Sequence, residues 1–133
     1  MNQEGGPMPK ILVVEDDANN MEIMVRILTI SKFEVCTATN GPDGVAAAAA
    51  ALPDLILMDL GLPNPEDGLE ATRQIRARAG TGHIPIIAFT ARSMAEDKER
   101  AREAGCDDFD SKPVDFKRLL GKIQRCLAQG RNA

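Results

Sequence analysis

A chain of 133 residues with 44% hydrophobic and 27% charged residues is long enough for one domain with a real core and too short for two. Its net charge of −4 excludes non-specific binding to nucleic acid or anionic membrane, since both need a basic surface. Neither Trp nor Tyr is present, so aliphatic side chains must build the core.

The first ten residues, MNQEGGPMPK, lack an apolar signal region, and the chain reads as a flexible tail to residue 8. KILVV (10–14) is the first strand, and it runs into three consecutive carboxylates, Glu15, Asp16 and Asp17. Asp17 is placed to cap a helix starting near Asn19, on which Met21, Met24, Val25 and Leu28 share one face. EVCTA (34–38) is the second strand, and the alanine-rich segment 42–51 is a helix stopped by Pro53. That segment, in GVAAAAAAL, is too short and too rich in alanine to span a bilayer. LILMD (55–59) and IIAFT (86–90) are the third and fourth strands. Helices are expected at 67–79 and 93–104, each followed by a glycine, Gly80 or Gly105, at the C-terminal cap position. Arg73, Arg76 and Arg78 then read as one solvated helix face, and His83, alone in a loop, as structural or exposed. DFDS (108–111) is the weakest strand. Phe116, Leu119, Leu120, Ile123 and Leu127 mark an amphipathic last helix at 115–127, followed by a tail from 129. Cys36, Cys106 and Cys126 are odd in number and lack a C-x-x-C pattern, which points to reduced thiols in the cytoplasm rather than zinc.

Alternating strand and helix with short links implies a doubly wound α/β domain with a five-stranded parallel sheet covered on both faces. In such a domain ligands bind beyond the carboxyl ends of the strands, where strand order reverses. Glu15 and Asp16 follow the first strand, Asp59 closes the third, Thr90 closes the fourth and Lys112 follows the fifth, so all five meet at one edge. Singly, each has an ordinary reading as a cap or a strand end. Together they form a chemical set. Two carboxylates about 4 Å apart repel by roughly 4 kcal/mol at a protein surface, and Mg²⁺, which takes oxygen ligands, offsets that repulsion. An aspartate can also act as a nucleophile toward phosphorus, with Lys112 as a point charge and Thr90 as a hydroxyl donor for phosphoryl oxygens.

VVEDD, LILMDLGLP, AFTA and DSKP resemble, in order and spacing, the receiver domain of two-component response regulators, and the likeness covers residues 9–128. The resemblance implies a flavodoxin-like sheet in the order 2-1-3-4-5 with five helices, the order of receivers in general. It implies Asp59 as phosphoacceptor and Mg²⁺ held by Glu15, Asp16, Asp59 and the backbone carbonyl of Gly61. Thr90 and Lys112 would contact the phosphoryl group, with Thr90 and Phe109 forming the switch. The donor would be a sensor histidine kinase or a histidine phosphotransfer protein. A downstream protein would read the surface of the last two helices and the fifth strand, with neither nucleic acid nor membrane as a partner. The expected activity is that of a stand-alone, single-domain regulator rather than a turnover enzyme for a metabolite. The Lys112-Pro113 bond is expected to be cis.

Two departures from the family pattern stand out. LPNPEDG has three residues between Pro63 and Asp67 where the family commonly has two, and Asp110 follows Phe109 where an aliphatic residue is usual. Other readings fit less well. A haloacid dehalogenase-type phosphohydrolase needs a second acid where Gly61 stands, and a dinucleotide-binding domain needs a glycine-rich turn where EDDANN stands. A non-phosphorylated pseudo-receiver, acting only as an interaction module, has no need of the intact set.

Overall fold

The computed structural model describes residues 8–62, 64–91 and 95–129; of the expected tails at 1–8 and 129–133 only residue 8 and residue 129 are described, the latter still helical rather than tail, and the expected helical start at 93 and 94 lies outside the described residues. The elements in chain order are β1 (Lys10–Val14), α1 (Ala18–Ile30), β2 (Glu34–Ala38), α2 (Gly41–Ala51), β3 (Leu55–Asp59), α3 (Pro65–Ala77), β4 (Ile86–Thr90), α4 (Ala95–Ala104), β5 (Asp108–Ser111) and α5 (Phe116–Gln129). All strand pairs are parallel, in the order β2-β1-β3-β4-β5.

Two core layers explain why the strands read as continuous aliphatic runs. Ile11, Val13, Leu55, Leu57, Ile87 and Phe89 face Met24 and Leu28 of α1 and Leu119 and Ile123 of α5. Their neighbours Leu12, Val14, Ile56, Met58, Ile86 and Ala88 face Val45 and Ala48 of α2, Ala71 and Ile75 of α3 and Ala101 of α4. Each inner strand is buried on both faces, so alternation with polar residues disappears. The small residues of α2 set how close it lies. A Cβ on Gly44 would sit 2.9 Å from Val14 Cγ2, and one on Gly41 2.9 Å from the Asp67 carbonyl oxygen. Leu52 closes α2 in the left-handed region at φ 49°, and Pro53 prevents the helix from continuing.

Two sequence expectations on α3 need correction. The helix ends at Ala77, and Gly80 is not its cap: Arg78 is already extended, and the Thr81 hydroxyl donates to the Ile75 carbonyl at 2.7 Å. Gly105, by contrast, does end α4, at φ 119°, with its N–H on the carbonyls of Ala101 and Arg102. Arg73 and Arg78 are exposed as expected, but Arg76 is not part of a solvated face. Its side chain is 12% exposed, and its guanidinium donates to the carbonyls of Gly105 (2.9 Å), Gly82 (3.3 Å) and Ile84 (2.5 Å) and to Asp107 Oδ2 (2.6 Å). It thereby ties α3 to the segments entering β4 and β5. Arg76→Ala leaves these acceptors short of a donor and is expected to lower unfolding stability by about 2–4 kcal/mol, measured by urea denaturation.

Candidate functional site

The order β2-β1-β3 reverses the winding between β1 and β3, so their carboxyl ends open onto a cleft. Asp17, with its side chain accepting from Asn19 N at 2.9 Å, caps α1 as expected and turns the chain away from the sheet. Glu15 is buried and Asp16 exposed. Asp59 ends β3, and its side chain is fully buried. Carboxylate oxygens of Glu15, Asp16 and Asp59 lie within 4.8 Å of one another.

Asp59 is held at both oxygens. Gly61 N–H donates to Oδ1 at 2.7 Å, and Lys112 Nζ donates to Oδ2 at 3.0 Å. Lys112 also pairs with Glu15 Oε1 at 3.5 Å and passes over the Phe89 ring, 5.4 Å from its centroid. Its reach is set by backbone geometry, because Lys112 N–H bonds the Thr90 carbonyl at 2.8 Å and fixes where the chain leaves β5. A depression of about 330 Å³ runs beside Gly61, Thr90, Ala91 and Lys112, so Thr90 borders the same space. The Lys112-Pro113 bond is cis, as expected.

The electrostatics leave room for a cation. Burial, and after it the negative charge of Asp59, pushes the Glu15 carboxyl up to about 7, although the Asp17 N–H and Lys112 pull the other way. Partial burial lowers the Lys112 ammonium, but Asp59 and Glu15 outweigh that and raise it above the ordinary lysine value. Glu15 Oε1, although buried, accepts no hydrogen bond among the described residues. Glu15 and Asp59 share the one Lys112 ammonium group, and Glu15 Oε1, in its ion pair but without a hydrogen bond, belongs to a cluster of three carboxylates with hard oxygen donors. That donor set fits Mg²⁺.

Comparison with known proteins settles the family. Residues 11–124 match the model of the response regulator receiver domain. The chain belongs to that family. It is 38% identical over 121 residues to the polar-differentiation response regulator DivK of Brucella anthropi, covering 90% of this chain and 98% of that protein. It is also 38% identical over 121 residues to protein PilH of Pseudomonas aeruginosa, covering 91% and 99%. The receiver domain of sensor histidine kinase PA1611 from Pseudomonas aeruginosa, solved with a magnesium ion coordinated in its active site cleft, superposes with a TM-score of 0.83 at 35% identity, covering 91% of this chain and 98% of that one. The chemotaxis response regulator CheY4 of Vibrio cholerae gives 0.82 at 28% identity, covering 89% and 98%. As a receiver, this chain acts in two-component phosphorelay signalling, which proceeds through Mg²⁺-dependent phosphorylation of an aspartate.

The structure brings Glu15, Asp16, Asp59, Gly61, Thr90 and Lys112 of this receiver to one cleft. Phe109 stands apart from them. It is half-buried on the α4 side of β5, lines a second depression with Ala95, Lys98 and Cys106, and has Lys98 Nζ 5.9 Å from its ring centroid. Several neighbours of the cleft were not legible in the sequence. Gly68 of α3 backs onto β3, where a Cβ would meet the Asp59 carbonyl oxygen at 2.8 Å. Asp97 and Arg100 of α4 line the depression beside Thr90, and Arg100 pairs with Glu66 in the first turn of α3. Glu66 belongs to the lengthened LPNPEDG segment, but nothing local marks a partner 34 residues away.

Proposed function

We propose that Asp59 is the phosphoacceptor, that Glu15, Asp16, Asp59 and the Gly61 carbonyl would hold Mg²⁺, and that Thr90 and Lys112 bind the phosphoryl oxygens. The observation that carries this reading is the Asp59 carboxylate, buried at the end of a central strand and fixed at both oxygens within the acidic group. One of its oxygens attacks the phosphorus borne on an imidazole nitrogen of a histidine kinase or phosphotransfer protein. The new P–O bond forms as the P–N bond breaks, and the electron pair returns to the imidazole, which takes up a proton. Bound Mg²⁺ supplies charge neutralisation for the phosphoryl oxygens. Lys112 Nζ, already on Asp59 Oδ2, is within reach of a phosphoryl oxygen added there. The same groups then assist slow loss of the phosphoryl group to water, so the chain promotes its own phosphorylation and dephosphorylation without turning over a metabolite. Its three free cysteines are in keeping with a reducing, cytoplasmic setting, and no described helix is long and apolar enough to cross a membrane.

The phosphorylated state would be read through Thr90 and Phe109. A phosphoryl group on Asp59 gives the Thr90 hydroxyl a charged acceptor. Thr90 drawn toward it leaves space for the half-buried Phe109 ring to turn inward, which changes the surface of α4, β5 and α5 that a downstream protein contacts. Such a shift requires contacts that differ between the two states, and here the phosphoryl oxygens supply them. Adding beryllofluoride with Mg²⁺ is expected to move amide chemical shifts from Asp59 and Thr90 through Phe109 into α4 and α5, with the distant changes much reduced in Thr90→Ala. Shifts confined to the loops around Asp59 would rule this switch out.

A further inference from the structure

Asp110 is a carboxylate placed where apolar packing is the rule. It lies in register with Phe89, on the sheet face that α1 and α5 cover, with its side chain 3% exposed. It is held by its own chain and by α5: Ser111 N–H donates to Oδ1 at 2.8 Å, Arg118 Nε at 2.9 Å, and Arg118 Nη2 lies 2.7 Å away. Oδ2 accepts no hydrogen bond among the described residues. A buried carboxylate costs stability unless it is well paired, and an aliphatic side chain would fill the place without that cost. The pair therefore calls for an account beyond packing. Its position supplies one. Asp110 and Arg118 bracket the segment Ser111–Asp115, which carries Lys112 from the end of β5 to the start of α5, and Asp115 caps that helix by accepting from Arg118 N at 3.1 Å. One turn further along α5, Lys122 Nζ bonds the Phe109 carbonyl at 2.6 Å, so α5 grips the edge strand at both residues that precede the segment.

We infer that the Asp110–Arg118 pair positions Lys112, fixing the β5–α5 segment so that Nζ reaches Asp59 in the geometry the phosphoryl transfer needs. The inference rests on the assignment of Asp59 and Lys112 made above. Asp110 touches none of the reacting groups; it acts through Lys112. Misplacement of a charged group by a fraction of an ångström is enough to slow a reaction whose catalysis is positioning and charge neutralisation.

The test uses the whole chain with an acyl phosphate and Mg²⁺, following phosphoryl incorporation over a range of donor concentrations, well below each variant's melting midpoint. Asp110→Asn and Arg118→Gln are each expected to lower the rate at saturating donor about tenfold, leaving half-saturation and Mg²⁺ affinity unchanged. In a Lys112→Ala background, itself slow, either change is expected to alter the rate by less than about twofold, because the group it positions is gone. Arg118→Gln strands the Asp110 carboxylate, whereas Asp110→Asn leaves no buried charge unpaired and keeps an acceptor for Ser111 N–H, so the Asp110 variant provides a folded protein if the Arg118 variant does not. Wild-type rates in both single variants, or an equal loss with and without Lys112, would overturn the positioning role. Wild-type protein that takes up no phosphoryl group would instead overturn the assignment of Asp59, and this inference with it.

Discussion

Asp59→Asn is expected to reduce phosphoryl incorporation from an acyl phosphate by at least about 10³-fold, because the amide oxygen is a far weaker nucleophile than the carboxylate it replaces. No neighbour can take over. Asp16 is exposed, and Glu15, at the end of β1, is turned up toward the neutral form by burial. The loss is expected without loss of the fold. Removing one of two buried carboxylates that share Lys112 costs that ion pair, but it also removes the repulsion between Glu15 and Asp59, a term of similar size at these separations. In metal-free buffer the variant should therefore unfold within about 1 kcal/mol of wild type, while its phosphorylation is gone. A variant that labels at the wild-type rate would move the acceptor elsewhere; one that is unfolded would leave the two carboxylates more interdependent than the charge count allows.

The site was legible because its residues sit at strand ends, and strand ends were the clearest feature of the sequence. KILVV, EVCTA, LILMD, IIAFT and DFDS are the five observed strands residue for residue. The first four are short apolar or β-favouring runs broken by turn residues, with burial on both faces keeping the inner runs uninterrupted, whereas DFDS has only Phe109 of that kind. Once the sheet is parallel, Glu15, Asp16, Asp59, Thr90 and Lys112 must share an edge whatever their spacing in the chain. What was illegible depends on partners distant in sequence. Arg76 looked like one more basic residue on a polar helix, since the Gly105 carbonyl and Asp107 that bury it lie 29 and 31 residues on. Gly80 looked like a helix cap because sequence shows a glycine but not the hydroxyl of Thr81, which takes the Ile75 carbonyl first. Asp110 was visible as an exception to the family pattern, yet Arg118, which answers it from α5, was not.

Asp16→Asn is expected to weaken Mg²⁺ binding by about 10- to 100-fold and to slow phosphorylation with it. Asp16 contributes a full charge from the solvent side of the acidic group, where an ion keeping several waters would meet it first. Without metal the sign reverses. The side chain is exposed and its repulsion with Asp59 and Glu15 is screened, so relief of that repulsion should raise metal-free stability by about 1 kcal/mol or less. Titration calorimetry with Mg²⁺ and thermal unfolding in chelator measure the two effects separately. Equal Mg²⁺ affinity in variant and wild type would remove Asp16 from the ligand set.

The most direct measurement of the central claim locates the phosphoryl group on the wild-type chain. The protein is incubated with an acyl phosphate and Mg²⁺, the acyl phosphate formed on the protein is trapped with borohydride, and the modified residue is read by peptide mass spectrometry. The account predicts one modified position, Asp59, formed with Mg²⁺ and not formed when chelator is present throughout the incubation. Modification at Asp16, or at Asp59 with the same yield in chelator, would contradict it.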